Sequence, residues 1–268
     1  MRHFSKIIML AATVMFFLAV STAFAGDIVL FYPPGYDAPQ AKAIAETLSE
    51  SSGLKIRPQI AKSYPDIIDA FKKPEPVLVY IGSFVQAMLY AQGLSIPLAQ
   101  AVDGKELYSS IMIAPTTAGK DPVAIIKEAG AAVAYTKGAS SGESGAKAAT
   151  GGQANIPTNN HMAAANAVKV HKAKAAFVKN WWWEANKAKY DGLTGFEFPG
   201  VSDHRNPDNV LSANKAISPD DLTKIKTAAI KNAKVFGVNE FKEFSPTLLQ
   251  PTLDLMKKAK IDPKTYTW

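Results

Sequence analysis

Short apolar runs of strand length alternate with helix-length segments along the first part of the chain. The run Asp27–Tyr32 ends at two prolines and a glycine, and the next segment places its apolar residues on one helical face before Gly53. The run Pro76–Ile81 is apolar on both faces, which is typical of a strand inside a parallel sheet. Strands separated by helices pair in parallel, so the sequence predicts an α/β fold with doubly wound sheets.

The first 25 residues have the three parts of a secretory signal peptide. Arg2 and Lys6 come first, Ile7–Val20 is almost wholly apolar, and Ala23-Phe24-Ala25 is a small-x-small cleavage site. An uncleaved membrane anchor is the alternative, but the apolar run is shorter than the roughly 20 residues that a span needs. We therefore expect cleavage after Ala25 and export of a mature chain that has no membrane span.

Composition excludes several classes of site. The chain has no cysteine, so disulfides, thiolate metal sites and a cysteine nucleophile are excluded together. It has 30 basic and 23 acidic residues, but the lysines are scattered and do not form the basic stripe of a nucleic-acid-binding protein. His161, His171 and His204 lack the spacing of metal ligands. We expect no nucleic acid, no metal and no cofactor.

A polar glycine-rich loop follows one of the buried strands. The strand is Ala131–Thr136, and the loop Lys137–Gly145 leads into an alanine-rich helix. Glycines let a ligand approach the backbone, while serine hydroxyls, free amides and the helix N-terminus all favour an anion. Neither a nucleotide P-loop nor a dinucleotide-binding pattern fits the loop. The sequence therefore predicts an anion site here, with a flexible connector as the alternative.

Catalytic motifs find little support. The segment Gly142–Gly145 misses the Gly-x-Ser-x-Gly pattern by one position, and the acids Asp220 and Asp221 are explained by a helix start. Glu143 has two interpretations, a partner for a ligand amine or an acid that favours a helix N-terminus. We expect a binding protein, with a secreted enzyme as the alternative.

Several short segments occur in an order and spacing that are specific as a set. They are Phe31–Pro33, Leu48–Gly53, Tyr64–Asp66, Tyr80–Phe84, Ala139–Gly142, His161 with Ala165–Val168, and Val210–Lys215 before Ser218 and Pro219. Together they extend over nearly the whole mature chain, which resembles the phosphonate-binding branch of the type 2 periplasmic substrate-binding proteins of ABC transporters. The resemblance implies two doubly wound α/β lobes, a periplasmic location and a ligand held in the cleft between the lobes.

The resemblance also implies boundaries and partners. Lobe 1 is expected at 26–108 plus 211–268 and lobe 2 at 109–210, with Tyr108–Ile113 and Val210–Ala213 as hinge strands. We expect a monomer that binds a small anionic solute, such as a phosphonate, a phosphite or a related organophosphorus compound, and delivers it to an ABC permease. The alternatives are a module of the same fold with a sensor or accessory role, or a receptor for a non-phosphorus solute.

Five candidate ligand residues follow from the resemblance. In the family, a Ser-Thr-Ser-Gly loop holds the phosphonate with hydroxyls and amides, and this chain has Ala139 followed by Ser140, Ser141 and Gly142 at the matching positions. The first hydroxyl is therefore missing here. Tyr32 matches an aromatic position at the end of the first strand, where we expect it to pack on the organic part of the ligand. His161 matches the histidine of a Ser-His pair.

Other candidates come from the residues themselves. Ser83 stands at a helix start that can face the cleft. Arg205 lies in a polar loop and has a guanidinium that can bind two oxygens of an oxyanion, although a solvated arginine is the alternative. Trp181, Trp182 and Trp183 cannot all face one side of a helix, because successive residues are turned by about 100°.

Overall fold

The structure is a computed structural model that describes residues 26–268. The predicted signal peptide, residues 1–25, lies outside these described residues. The described chain forms two bodies, each built on a mixed β-sheet with helices on both faces. We call the body around the six-stranded sheet lobe 1 and the body around the five-stranded sheet lobe 2. In the range 26–268, no helix combines the length and the apolar character that a bilayer span requires.

The sheet of lobe 1 has the strand order β13-β4-β12-β3-β1-β2. Its strands are β1 (Ile28–Tyr32), β2 (Ile56–Ile60), β3 (Val77–Ile81), β4 (Ser95–Val102), β12 (Val210–Asn214) and β13 (Glu240–Glu243). The strands β1, β2 and β3 pair in parallel as the sequence predicts, whereas β12 runs antiparallel to both β3 and β4. Val210 pairs with Ile81 at the end of β3. The chain returning from lobe 2 therefore enters the sheet at the carboxyl ends of the parallel strands, and β12 runs in the opposite direction to them.

Five helices cover this sheet. They are α1 (Ala38–Ser52), α2 (Tyr64–Phe71), α3 (Ser83–Ala91), α8 (Pro219–Lys231) and α9 (Gln250–Lys258). The helices α1 and α8 pack in one apolar cluster, while α2, α3 and α9 pack in the other. Side-chain caps fix two of the helix starts, since Asp37 accepts from the Gln40 amide and Ser218 accepts from the Asp221 amide.

The sheet of lobe 2 has the strand order β10-β6-β9-β7-β8. Its strands are β6 (Ser110–Pro115), β7 (Val133–Thr136), β8 (Ile156–Thr158), β9 (Ala175–Lys179) and β10 (Leu193–Phe196). Its helices are α4 (Pro122–Ala129), α5 (Gly145–Ala149), α6 (His161–Lys169) and α7 (Asn180–Asn186). The strand β7 is parallel to β8 and β9, and β6 and β10 complete the sheet in antiparallel pairs. Short 3₁₀ turns lie at Thr116–Ala118, Lys187–Lys189, Ala233–Phe236 and Pro246–Leu249.

The two segments that cross between the lobes pair with each other. They form an antiparallel ribbon of β5 (Leu107–Tyr108) and β11 (Asn206–Pro207). The two segments predicted as hinge strands lie mostly inside the sheets. Val210–Ala213 is part of the buried strand β12, and Tyr108–Ile113 extends from β5 into β6. The helix α9 contacts both lobes, since Met256 belongs to a core cluster of lobe 1 and Leu255 to one of lobe 2.

Candidate functional site

A cavity of about 200 Å³ lies between the two lobes. Aromatic side chains form much of its wall: Tyr36, Tyr64, Tyr80, Phe84 and Tyr108. Another part of the wall is polar or is glycine backbone, and includes Gly82, Gly138, Ser141, His161, Lys179 and Asp208. The cavity therefore offers an apolar wall for an organic group and a polar wall for a charged group, which is the usual construction of a small-molecule site.

The glycine-rich loop after β7 forms one end of the cavity. Gly138 has a φ of +72°, and a Cβ atom at this position would lie 2.3 Å from Cδ2 of Tyr64. Only glycine fits this backbone conformation and this close approach to a ring from lobe 1. The π-helical turn Ser140–Ser144 follows, and the amides of Ser140 and Ser141 stand at its start, where no preceding turn supplies acceptors.

Two hydroxyls join the loop to lobe 1. The Oγ atom of Ser83 lies 2.9 Å from Oγ of Ser140 and 2.7 Å from the hydroxyl of Tyr108. Both serines are fully buried and lie behind the cavity wall, not on it. Ser141 is the loop serine that lines the cavity. The α3 helix begins at Ser83, and its cap residue Gly82 lines the cavity from the opposite lobe.

Gly142 has a packing role. A Cβ atom there would come within 2.8 Å of the backbone N and O of Thr136, so the turn can lie against β7 only with glycine at this position. Gly142 does not line the cavity; it sets the position of the turn that carries Ser141.

Glu143 is a buried carboxylate with four partners. It accepts from the Gly138 amide at 2.7 Å, from Nζ of Lys147 at 2.8 Å and from Nε1 of Trp268 at 3.0 Å, and also from the hydroxyl of Tyr266. The acid is 1% exposed, so these donors compensate its charge inside the protein. Glu143 is thus engaged by donors of its own chain and is not a free partner for a ligand amine. It does lie in the first turn of the π-helical segment.

His161 lies on the cavity wall at the start of α6. Its Nδ1 atom is 2.8 Å from Oγ1 of Thr136. Burial lowers the pKa of His161 to about 3, and the nearby charge of Lys179 acts in the same direction. The imidazole is therefore neutral at physiological pH and contributes hydrogen bonds to the cavity without a charge.

Lys179 and Asp208 bring the charged groups of the cavity together. Lys179 ends β9, Asp208 lies in the segment between β11 and β12, and the two side chains form an ion pair. The Lys179 ammonium also lies 4.7 Å from the ring centroid of Tyr108. The pair is partly shielded from solvent, since the side chains are 24% and 12% exposed. The sequence analysis did not identify either residue.

Besides Ser83, Ser140 and Gly142, two further sequence-predicted residues lie away from the cavity wall. Tyr32 is fully buried in the core of lobe 1, where its hydroxyl donates to the carbonyl of Ala41. Tyr36 stacks on it with ring centroids 4.6 Å apart and lines the cavity instead. Arg205 is exposed and is not among the residues that line the cavity, so its guanidinium is solvated. Of these two tyrosines, Tyr36 is the one that lines the cavity.

The three tryptophans separate as the helical geometry requires. Trp183 is buried in lobe 2, Trp182 packs beside His161 with ring centroids 5.8 Å apart, and Trp181 donates to the carbonyl of Leu107 at 3.1 Å. Trp182 thus supports a cavity residue from behind, and Trp181 braces the crossing ribbon.

Two kinds of comparison relate the chain to known proteins. A family model described as "ABC transporter, phosphonate, periplasmic substrate-binding protein" matches residues 33–248. No curated protein sequence is significantly similar to the chain.

Solved structures with the same fold are numerous. A binding protein component of an ABC phosphonate transporter from Pseudomonas aeruginosa aligns with a TM-score of 0.67 at 16% identity, covering 87% of each chain. PhnD1 from Prochlorococcus marinus, in complex with methylphosphonate, gives a TM-score of 0.65 at 13% identity over 87% of this chain and 98% of its own. XAC2383 from Xanthomonas citri, bound to ATP, gives 0.68 at 11% identity over 88% of this chain and 98% of its own. At these identities the similarity establishes the type 2 periplasmic-binding-protein fold.

Proposed function

This chain belongs to the family of phosphonate-binding periplasmic substrate-binding proteins of ABC transporters, and from that premise we propose that it captures a small organophosphorus anion in the cavity between its lobes. The members of this family are receptors and not enzymes, and they work with a membrane permease. A periplasmic location follows from the family, and cleavage after Ala25 is part of the proposal. The ligand that we propose is a phosphonate or phosphite; PhnD1, which shares the fold, binds methylphosphonate.

One observation carries this proposal. The start of the π-helical turn and the start of α3 meet at the same cavity, and each brings backbone amides that lack helical acceptors. Ser141 adds a hydroxyl, and His161 adds a neutral ring. Several hydrogen-bond donors that converge in a partly dehydrated space favour a tetrahedral oxyanion.

The aromatic wall supports an organic group on the anion. Tyr36 and Phe84 lie on this wall, where they can cover a small alkyl group. A cavity of about 200 Å³ has room for an anion with few carbon atoms and is below the size range of drug-like sites.

Closure of the lobes around the ligand is part of the same proposal. We assign 26–108 with 211–268 to lobe 1 and 109–210 to lobe 2, and we place the hinge at the β5–β11 ribbon, where both crossings lie side by side. The hydrogen bond between Ser83 and Ser140 spans the two lobes and would form only on closure. These serines therefore hold the closed state, while Ser141 contacts the ligand.

Calorimetric titration of residues 26–268 tests the function. Methylphosphonate, ethylphosphonate, phosphite, phosphate and sulfate are titrated separately. We expect saturable one-site binding of at least one phosphorus anion, and at least fivefold weaker binding by Ser141→Ala because one donor is lost.

Ser144→Ala is the matched control for this experiment. Ser144 is fully buried in the same turn, but its hydroxyl has no hydrogen-bond partner within the described chain, and it does not line the cavity. This variant should bind like the unaltered protein. Absence of binding for every phosphorus anion would refute the proposed ligand class, and equal binding by Ser141→Ala would remove the loop from the site.

A further inference from the structure

The strongest fixed charges on the cavity wall are those of Lys179 and Asp208, and they neutralise each other. Asp208 is buried, and its carboxylate is engaged by the Lys179 ammonium. The same ammonium lies against the face of Tyr108. A carboxylate beside an aromatic face is the combination that binds an ammonium group, through an ion pair and a cation–π contact. In this protein, a side chain of the protein occupies that combination.

We infer that Lys179 determines ligand specificity, by excluding ligands whose organic part carries an amine and selecting small phosphonates with an uncharged organic part. The inference rests on the proposed function and names its ligand class more closely. Lys179 acts as an internal competitor for the carboxylate of Asp208.

The physical argument has two parts. A tethered ammonium has a high effective concentration at its carboxylate, so a free amine at micromolar concentration cannot compete with it. A ligand amine that did enter would also lie next to the Lys179 ammonium, and like charges in a partly dehydrated site repel each other strongly. Both effects weaken an amine-bearing ligand and leave an alkyl-bearing ligand unaffected.

The opposite charge is disfavoured as well. A second anionic group on the ligand would lie near the Asp208 carboxylate as well as the Lys179 ammonium. Because the ion pair has no net charge, it would not attract that group. His161 does not supply a positive charge either, because its imidazole is neutral. The wall near the pair is aromatic, with Tyr64 and Tyr108 among its members. An uncharged organic group fits these surroundings.

Ethylphosphonate and aminomethylphosphonate provide a direct test, because they differ by replacement of a methyl group with an ammonium group. The unaltered protein should bind ethylphosphonate at least tenfold more tightly. Lys179→Met removes the internal ammonium and keeps an unbranched side chain of similar length, so the ratio of the two dissociation constants should shift at least tenfold toward the amine. Lys179→Gln should shift the ratio in the same direction, and it serves if the methionine variant does not fold.

Lys172→Met is the matched control, because Lys172 is exposed and does not line the cavity. It should leave the ratio unchanged. If the unaltered protein binds both compounds equally, or if the ratio is the same in the Lys179 variants, the inference is overturned while the proposed function stands.

Methylammonium gives a readout that does not depend on phosphonate binding. It should raise the thermal unfolding temperature of Lys179→Met, but neither that of the unaltered protein nor that of Lys179→Met with Asp208→Asn. If no phosphonate binds and this pattern is found, the proposed function fails and the role of Lys179 stands. Equal stabilisation of all three proteins, or of none, would contradict the role of Lys179.

Discussion

His161 shows how a single residue adapts to the cavity. A histidine that faces an anion site would be expected to carry a proton, but burial, together with the nearby Lys179 charge, lowers the pKa of His161 to about 3. The ring stays neutral and keeps its contact with Thr136. Among the described residues that line the cavity, the positive charge is therefore that of Lys179, which is paired with Asp208.

Acid should destabilise the protein through His161. In an unfolded chain the pKa of histidine is about 6.5, whereas in the folded protein it is about 3. Between these values the unfolded chain binds more protons, so the free energy of unfolding is fully retained above pH 6.5 and falls as the pH drops below it, by up to about 1.4 kcal/mol per pH unit.

Urea unfolding at pH 7.5, 6.0 and 5.0 measures this effect. His161→Asn should lose less stability on acidification than the unaltered protein does. His171→Asn is the control, since His171 is exposed and asparagine tolerates its φ of +59°. An unchanged pH dependence in His161→Asn would show that this histidine is not held neutral.

Part of the cavity wall could be predicted from the sequence. Ser141 and His161 line the cavity, and both could be proposed because they match positions of the family's motifs. Lys179 and Asp208 could not, because 29 positions separate them and only the packing of two segments makes them neighbours. Tyr32 looked suitable as a strand end, but β1 is buried on both faces, so its last side chain points into the core.

At the scale of elements, the glycine-rich loop depends on one close contact. Gly138 has a positive φ and lies against the ring of Tyr64. The contact joins lobe 2 to a helix of lobe 1, so the loop is shaped by both. A side chain at this position would displace the ring from the cavity wall.

Gly138→Ala should therefore destabilise the protein more than Gly35→Ala does. Both glycines have a φ above +70°, but nothing lies within 4 Å of a Cβ atom at Gly35. The two variants share the conformational cost of roughly 1 kcal/mol, and Gly138→Ala adds overpacking of about 1–3 kcal/mol. Urea unfolding measures the loss of unfolding free energy in each variant. Equal losses would mean that the Tyr64 ring moves aside at little energetic cost.

Helix starts were predictable because they depend on local chemistry. The helix α3 begins at Ser83 and α8 begins just before Asp220 and Asp221, where the sequence predicts helix starts. The strand β4 was not predicted, because Pro97 interrupts its pattern. In the structure, Pro97 lies opposite Ser212 at a register shift, where a missing amide is tolerated. The segment can therefore form a strand because the register shift in β12 removes the need for an amide at Pro97.

At the scale of the whole molecule, the last residues of the chain connect the two lobes. Tyr266 and Trp268 donate to Glu143 of lobe 2, and Trp268 also packs against Phe84 and Tyr64 of lobe 1. Glu143 in turn accepts from the amide of Gly138. The C-terminal segment thus holds the glycine-rich loop from behind while it packs on lobe 1.

Tyr266→Phe should weaken this connection without altering the cavity wall. The change leaves the buried Glu143 carboxylate one donor short, which costs about 1–3 kcal/mol. If the contact exists only in the closed state, the loss falls on that state, so ligand affinity declines in proportion to the closed fraction. Calorimetry should show weaker binding, and small-angle X-ray scattering should show a larger radius of gyration without ligand.

Tyr90→Phe, at a tyrosine that is 40% exposed, should change neither quantity. A Tyr266→Phe variant that is less stable but binds with full affinity would mean that the C-terminal segment supports the fold alone and does not bias closure.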